Sequence, residues 1–514
     1  MSGRATSAEN PNASEMSVQM TKRYTQKDLF IQIPAAWDGK CILLHFGAVF
    51  YHSEVYVDGT MAGFHDGGSS SFSVDLTGLV RPGARHSLIV KATANLQDGS
   101  IPSGKQSSYI ASYACFYQRT TGIWQTIWME AVDKHALRSV NTYWNEAESN
   151  VYFIPSFRSI AQNMRIHIKI GNKKTIMTAI SGIPIVIHIE NPVLWEPGNA
   201  HLYDITYSVY LDETCVDEVS SYIGLRTIQI IGNNTYINGK KLYYRFVLDQ
   251  GFYPEGNWTA PSDEALEKDI KLALSAGFNG ARLHQKVFEE RYLHYADRLG
   301  FLVWEETPSW GLDYNNEGLP ARNFLHELTE IVNRDKNHPS IIGWSPLNET
   351  WCFNNPKAHR RLHKEAYETI KGLSETSLIL SRFIQDNPTS STNMVASNGI
   401  PKRRQSKIWR KHRTFNPGDM AKHPQPDRNF WTGFRASHRL FFRSLIYQDT
   451  AIRNSPMSNK KRTACISIHG NLNSVHNSIM QSSPKNQRGM SFDANTSVWI
   501  RHAGRMFRRR IVYI

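Results

Sequence analysis

Polar side chains follow four strand-like segments in the middle of the chain, each directly after a short apolar run. Such side chains can transfer protons or bind hydroxyl groups, and stretches with helical periodicity separate the segments. Because the carboxyl ends of barrel strands meet at one end of the barrel, we expect these side chains to lie close together. The four groups are Asp249-Gln250, Arg282 with His284, Glu305-Glu306, and Asn348-Glu349.

Glu349 is the strongest candidate for acid–base chemistry. It follows a segment typical of a buried strand and is flanked by Trp344 and Trp351. Apolar surroundings disfavour a charged carboxyl group, so they raise its pKa toward that of a useful general acid. Cleavage of a glycosidic bond needs such an acid and a second carboxylate, and tryptophan faces stack on sugar rings. The alternative is that Glu349 forms a salt bridge with Arg282 or Lys286, and the local residues do not decide between the two.

Strands and helices alternate from about residue 243 to residue 347, which predicts a parallel sheet. The clearest helix lies in PSDEALEKDIKLALSAG, where Ser262 is a suitable N-cap and Gly277 suits the C-terminal end. No glycine-rich phosphate loop follows the first strand, which argues against a dinucleotide-binding fold. Four strands that end in hydrogen-bonding side chains favour a (β/α)8 TIM barrel, of which about 130 residues supply only the first half.

The preceding residues are predicted to form two β-sandwiches. Short apolar runs separated by turn residues occupy residues 29–134, and Asp58-Gly59 is typical of a two-residue hairpin turn. Residues 135–232 carry a second series of strand-like runs, of the length expected for an immunoglobulin-like sandwich. Residues 1–28 show no structural periodicity, and we interpret them as an unstructured or truncated start.

Charge is divided unevenly along the 514 residues. The net charge is +14, but residues 376–514 hold 24 lysines and arginines against five aspartates and no glutamate. Residues 1–375 are therefore mildly acidic, so the basicity belongs to the tail alone. Five scattered cysteines without a C-x-x-C pair argue against a disulfide framework and a cysteine zinc site. Because there is no apolar run of about eighteen residues and no apolar leader, we expect a cytoplasmic protein without a membrane partner.

Six segments between residues 120 and 351 form a pattern that is more specific than any single motif. They are TTGIWQTIW (120–128), LWEPGNAHLY (194–203), GLRTI (224–228), LDQGFYPEG (248–256), GFNGARLHQK (277–286) and NHPSIIGWSPLNETW (337–351). In this order they resemble glycoside hydrolase family 2, which contains β-galactosidases, β-glucuronidases and β-mannosidases. The resemblance covers about residues 29–375. It implies a jelly-roll sugar-binding domain (29–134), an immunoglobulin-like sandwich (135–232) and the first half of a catalytic TIM barrel (233–375).

The resemblance also implies roles for individual residues. Glu349 matches the family's general acid/base, and Asn348 matches the residue that binds the sugar 2-hydroxyl group. Arg282 matches an arginine at the base of the substrate pocket. His284 and Trp351 are either sugar contacts or packing residues at the barrel mouth, and both alternatives remain open.

Three other acidic residues at the strand ends have different expected roles. Asp249 is expected to support the first loop of the barrel. Glu305 and Glu306 are expected to pair with Arg282 and Lys286 rather than to contact substrate.

The last quarter of the chain departs from the family. The family's nucleophile is a glutamate at the end of the seventh barrel strand, and no glutamate occurs after Glu375. The five aspartates of the tail lie in no segment that resembles the nucleophile motif. A loss of pattern together with an absence of glutamate is typical of an out-of-frame reading. We therefore interpret residues 376–514 as a frameshifted or disordered tail.

Two functions remain open at this point. The first is a retaining hydrolase of terminal β-glycosidic bonds, of the β-galactoside, β-glucuronide or β-mannoside class, impaired by the missing nucleophile. The second is a carbohydrate-binding pseudoenzyme. Nucleic-acid binding through the tail, with Trp409, Trp431 and Trp499 as stacking surfaces, has no supporting motif. A β-glycoside is the expected partner, and we expect no cofactor and no metal because the mechanism needs none. The sequence predicts neither the oligomeric state nor the sugar released.

Overall fold

The computed structural model describes residues 30–374, except residues 98, 110, 233 and 353, and the backbone of six further strands. One of these strands lies within residues 1–28, where we predicted an unstructured or truncated start. This strand, Ser14–Met16, pairs antiparallel with Ala92–Ala94. The remainder of that segment lies outside the described residues.

Two sheets pack face to face in the first third of the chain. One has the order β2-β8-β5-β6 with β1 also on β8, the other β10-β3-β7, and β4 pairs with β9. Both sheets contribute to one core, in which Leu44, Phe46, Val55 and Val90 are fully buried. The strands are β1 (Ser14–Met16), β2 (Phe30–Gln32), β3 (Cys41–Phe46), β4 (Val49–Phe50), β5 (His52–Val57), β6 (Thr60–Asp66), β7 (Phe72–Asp75), β8 (Arg85–Ala94), β9 (Gly122–Ile123) and β10 (Ile127–Val132).

The hairpin between β5 and β6 is the one predicted from Asp58-Gly59. Both residues have positive φ angles, 48° and 81°. This is the geometry of a type I′ turn, which suits aspartate and glycine and matches the twist of the strands that it joins. The prediction of a two-residue turn is confirmed.

A second pair of sheets follows. One has the order β11-β12-β15 and the other β14-β13-β16-β17. Phe153 on the first sheet and Tyr207 on the second meet edge to face, with ring centroids 6.1 Å apart, in a shared buried core. The strands are β11 (Leu137–Asn145), β12 (Asn150–Phe157), β13 (Met164–Ile170), β14 (Lys173–Thr178), β15 (Ile185–His188), β16 (Tyr203–Leu211) and β17 (Thr214–Ile223).

Parallel strands alternate with helices after a small connecting sheet of β18, β19 and β20. The parallel order is β21-β22-β23-β24-β26, with short β25 parallel to β26 and β27 antiparallel to it. The elements are β18 (Ile228–Ile231), β19 (Asn234–Ile237), β20 (Lys240–Leu242), β21 (Phe246–Asp249), α1 (Asp263–Ser275), β22 (Gly280–Leu283), α2 (Glu290–Leu299), β23 (Leu302–Glu306), α3 (Leu319–Asp335), β24 (Ile341–Ser345), β25 (Thr350–Trp351), α4 (Pro356–Leu373), β26 (Leu378–Ile384) and β27 (Asn393–Ala396).

The predicted caps of the first barrel helix are present. The Ser262 hydroxyl group accepts a hydrogen bond from the Ala265 backbone N–H at 3.3 Å, and Gly277 just beyond the helix has a φ of 91°. Leu266 and Ile270 of this helix are fully buried against the sheet. Among the described helices, none is both long and apolar enough to cross a membrane.

Three further strands are described near the end of the chain: β28 (Val498–Arg501), β29 (Met506–Arg509) and β30 (Val512–Tyr513). Strand β29 pairs with β28 and β17, and β30 pairs with β10. Strands β26 and β27 also lie within residues 376–514. Apart from these five strands, the prediction of a frameshifted or disordered tail concerns residues outside the described part of the chain. The same holds for Trp409, Trp431 and the tail aspartates.

Candidate active site

The carboxyl ends of the parallel strands form one polar edge, as the sequence predicted. The register places Asp249 beside Leu283, and Leu283 beside Glu305. Strand β24 continues the alignment, with Glu306 opposite Ser345. Side chains from three different strand ends can therefore converge.

Arg282, Glu306 and Asn348 form the centre of this edge. The Arg282 guanidinium donates to Glu306 Oε2 from Nε at 2.8 Å, and to Asn348 Oδ1 from Nη2 at 2.6 Å. Because a guanidinium group holds its donors in a fixed plane, it determines how the carboxylate and the amide are oriented. The predicted pairing of Arg282 with Glu306 is confirmed.

Glu306 is fully buried and collects several donors. The Gln285 side chain and backbone N–H groups each donate to Oε1 at 3.1 Å. His284 Nδ1 lies 2.9 Å from the same oxygen but without hydrogen-bond alignment. Burial alone would raise the pKa of Glu306, but the charges of Arg282 and His284 outweigh it and hold the pKa below its ordinary value. The group is therefore an anionic anchor rather than a proton donor.

Asn348 is held in place through its backbone. Its backbone N–H donates to Ser309 Oγ at 3.2 Å, and its backbone oxygen accepts from Trp310 Nε1 at 3.0 Å. The side chain is 9% exposed, and Nδ2 has no hydrogen-bond partner among the described residues. A buried amide that lacks a partner is costly unless a ligand supplies one.

Glu349 is partly exposed beside Asn348. Within the described part of the chain, no group forms a hydrogen bond or an ion pair with its side chain. Its φ is 48°, a left-handed value that costs a non-glycine residue about 1–3 kcal/mol and often marks functional positions. The alternative of a salt bridge to Arg282 or Lys286 is wrong, because both cations have other carboxylate partners.

Lys286 is buried away from Glu305 and Glu306, so that part of the predicted pairing is wrong. Its ammonium group donates to the backbone oxygens of Gly251 at 2.9 Å and Trp258 at 2.6 Å, and lies 3.5 Å from Glu289. Three acceptors close to one donor explain why a lysine tolerates this depth.

Asp249 has the role expected from the sequence. Its carboxylate accepts a hydrogen bond from the Gly251 backbone N–H at 2.9 Å, which fixes the first loop of the barrel. Burial raises the pKa of Asp249.

The tryptophans are arranged differently from the prediction. Trp344 is 1% exposed in the barrel core, where it cannot stack on a sugar. Trp351 lies in β25, and its side chain is outside the described part of the structure. Trp310, which we did not predict, lies at the mouth with its ring 6.2 Å from that of His284. Its position in a loop without periodicity left no signal in the sequence.

A loop of the first sandwich reaches the same mouth. A Cβ atom on Gly104 would lie 2.3 Å from the Gln285 carbonyl oxygen, so this close approach requires glycine. The ammonium group of Lys105 lies 4.5 Å from the centre of the Trp310 ring. Tyr117 donates to Gln250 Oε1 at 2.9 Å. Contacts between segments so distant in sequence cannot be read from local patterns.

Two histidines behind Glu349 were also missed. His359 and His363 lie four residues apart on α4, and their Nε2 atoms lie 2.7 and 2.9 Å from the Thr350 hydroxyl oxygen. Burial lowers the pKa of His359 to about 4 and that of His363 to about 3. Their spacing was a visible signal for a shared helix face.

Comparison with known families agrees with this architecture. The family described as "Glycosyl hydrolases family 2, TIM barrel domain" matches residues 228–398, and "Glycosyl hydrolases family 2" matches residues 139–226. Together the two matches span half of the chain. The first runs past the boundary that we predicted at residue 375 and includes strands β26 and β27.

Curated relatives point in the same direction. A putative beta-glucuronidase of Formosa agariphila is 27% identical over 327 residues, covering 61% of this chain and 38% of that protein. A beta-galactosidase of Thermoanaerobacter pseudethanolicus is 26% identical over 337 residues, covering 62% of this chain and 44% of that protein.

A solved structure shows a similar fold. The β-glucuronidase of Ruminococcus gnavus in complex with D-glucuronic acid has a TM-score of 0.60 and 20% identity, over 68% of this chain and 62% of that chain. The present chain thus spans less than two thirds of the length of each of these proteins.

Sandwich-type sheets ahead of a parallel barrel-type domain occur in the order of the two glycosyl-hydrolase family matches. The chain belongs to glycoside hydrolase family 2.

Proposed function

We propose that this chain carries the acid/base half of a retaining β-glycosidase site. In this assignment Glu349 protonates the leaving oxygen, Asn348 binds the sugar 2-hydroxyl group, and Arg282 orients Asn348 at the base of the pocket. The observation that carries the proposal is that two neighbouring side chains are available to a ligand. Among the described residues, the Asn348 side-chain NH2 group has no hydrogen-bond partner, and no residue engages the Glu349 carboxyl group.

We also propose the finer domain assignments. The first sandwich is a jelly-roll sugar-binding domain (29–134) and the second is immunoglobulin-like (135–232). The loop of the first sandwich that contacts Gln285 and Trp310 supports this division, since it brings a non-catalytic domain to the pocket. His284 and Trp351 remain proposed sugar contacts.

The proposed substrate is a terminal β-glycoside of the β-glucuronide, β-galactoside or β-mannoside class. The names of the relatives, beta-glucuronidase and beta-galactosidase, support this range. No cofactor or metal takes part in the proposed chemistry, because two carboxyl groups suffice for a retaining mechanism.

The proposed hydrolysis depends on a second carboxyl group that acts as nucleophile. A retaining pair needs its carboxyl groups about 5–5.5 Å apart, and Glu306 is unsuitable because Arg282 and Gln285 occupy both of its oxygens. No glutamate occurs in residues 376–514. We therefore propose impaired hydrolysis, with a frameshifted tail as the origin. A carbohydrate-binding pseudoenzyme is the second candidate, favoured by the same missing carboxylate.

Turnover and binding of aryl β-glucuronide, β-galactoside and β-mannoside by the full chain test the proposal. If the enzyme is active, Glu349→Gln should lower turnover by at least about 100-fold while sugar binding persists, because general acid–base catalysis contributes that much. Glu264→Gln, a change of the same kind in the exposed first turn of α1, should leave turnover unaltered.

Binding without turnover would favour the pseudoenzyme and keep the pocket assignment. If the chain neither binds nor cleaves any of the three glycosides, the assignment of Asn348 and Glu349 to a sugar site is wrong.

A further inference from the structure

A histidine- and carboxylate-rich cluster lies where the first sandwich meets the barrel. His65 is on β6, whereas His326 and Glu330 lie one turn apart on α3. Their ligand-type atoms all lie within 4.8 Å of one another. The cluster shares no residue with the candidate active site.

We propose that His65, His326 and Glu330 bind a divalent zinc-like ion that joins the first sandwich to helix α3. Three protein ligands from two domains would let the ion link the two domains, with a fourth position left for water.

The distances suit such an ion with small side-chain rotations. His65 Nε2 lies 3.0 Å from Glu330 Oε2, and His326 Nε2 lies 3.7 Å from Glu330 Oε1. Zinc–nitrogen and zinc–oxygen bonds of about 2.0–2.1 Å place tetrahedral ligand atoms about 3.4 Å apart. Because 56% of the His326 side chain is exposed, its ring is free to adjust.

The ligand types favour a borderline transition metal over calcium or magnesium. Two imidazole nitrogens and one carboxylate suit zinc and its neighbours, whereas calcium and magnesium prefer sets composed of oxygen atoms. The Ser70 hydroxyl group donates to Glu330 Oε2 at 2.6 Å and so fixes the carboxylate from behind.

A second acidic side chain lies next to the cluster. Glu327 lies one residue from His326, is 2% exposed, and has one carboxylate oxygen without a hydrogen-bond partner among the described residues. A divalent cation at the cluster would interact favourably with both acidic side chains, Glu327 and Glu330.

Zinc titration of the EDTA-treated full chain, kept reduced, tests the proposal. We expect one ion per chain and a raised melting temperature. His326→Gln and Glu330→Gln should each weaken zinc binding by at least about tenfold. Loss of a residue that only hydrogen-bonds to a metal ligand already lowers metal affinity by about 10–100-fold, and these two residues are proposed as ligands themselves. The melting temperature of His326→Gln without zinc should match that of the unmodified chain, which shows that the variant folds.

His52→Gln is the matched control. His52 also lies between two carboxylates, Asp66 and Glu54, but they contact opposite ring nitrogens and cannot share one ion. Its zinc affinity should stay unaltered. The proposal is overturned if the chain takes up no zinc, if His326→Gln binds as tightly as the unmodified chain, or if a cobalt-substituted sample shows thiolate absorption from exposed Cys115 or Cys215.

Discussion

Glu306 shows how a carboxyl group at a barrel mouth can serve geometry rather than proton transfer. It is fully buried, and its two oxygens hold Arg282 on one side and Gln285 on the other. Arg282 in turn reaches Asn348, so the orientation of the proposed sugar-binding amide depends on an acid at the end of the neighbouring strand. Glu349 lacks any such partner in the described residues.

We expect Glu306→Gln to lower the free energy of unfolding by about 2–4 kcal/mol, because it leaves the Arg282 guanidinium without its anionic partner. Denaturant unfolding of the full chain measures the change. Glu368→Gln, which removes an exposed carboxylate 3.5 Å from Lys364, should change it by less than about 0.5 kcal/mol. Equal effects of the two substitutions would show that the Arg282–Glu306 pair does not organise the site.

Helix α4 supports the proposed proton donor from behind. Asn355 caps the helix by accepting a hydrogen bond from the Ala358 N–H at 3.1 Å, and the helix then presents His359 and His363 to Thr350. Thr350 directly follows Glu349, so this buried contact anchors the backbone at the strained position. Both histidines must be neutral to remain buried there.

The free energy of unfolding should therefore decrease as the pH is lowered below about 6.5. In the unfolded chain both histidines take up protons near pH 6.5, whereas in the folded chain they do so only near pH 4 and pH 3. Between about pH 6.5 and pH 4 the unfolded state binds more protons, and each histidine lowers the free energy of unfolding by up to about 1.4 kcal/mol per pH unit.

Unfolding free energies measured from pH 7 to pH 4 check this expectation. The double substitution of His359 and His363 by Gln should flatten the dependence, while the exposed His188→Gln should leave it unaltered. An identical slope in the double variant would contradict the assignment of neutral buried histidines.

At the level of the whole molecule, Asp297 joins the second sandwich to the barrel. Its carboxylate accepts from Tyr222 of the sandwich at 2.8 Å and from the Ser340 backbone N–H at 3.0 Å, and it contacts His338. Burial would raise the pKa of Asp297, but the charge of His338 and the hydrogen bonds from His338 and Ser340 outweigh it and hold the pKa below its ordinary value. Its backbone oxygen also accepts from Trp195 at 2.7 Å.

Asp297→Asn should lower the free energy of unfolding by about 3–5 kcal/mol and separate sandwich and barrel into two unfolding steps, because it breaks a buried charged network. Calorimetry of the full chain measures both effects. Asp204→Asn, at an exposed position of β16, is the control and should alter neither. A single transition of unchanged cooperativity in the Asp297 variant would show that other contacts couple the domains.

Local sequence was sufficient to predict the element types, the Asp58-Gly59 turn, the Ser262 cap and the polar strand ends. Each depends on neighbouring residues in the chain, through hydrogen-bonding capacity, backbone preference or apolar spacing. The sequence also indicated that the family's nucleophile glutamate is missing, because no glutamate occurs after residue 375.

Tertiary structure alone decided which groups at those strand ends are engaged and which remain available. Arg282 could have paired with Glu349, Glu305 or Glu306, and nothing local distinguishes these acids; burial and strand register selected Glu306. The same reasoning applies to the positions of Lys286 and Trp344 and to the His65–His326–Glu330 cluster. Distances across a fold depend on packing between segments that are far apart in the chain.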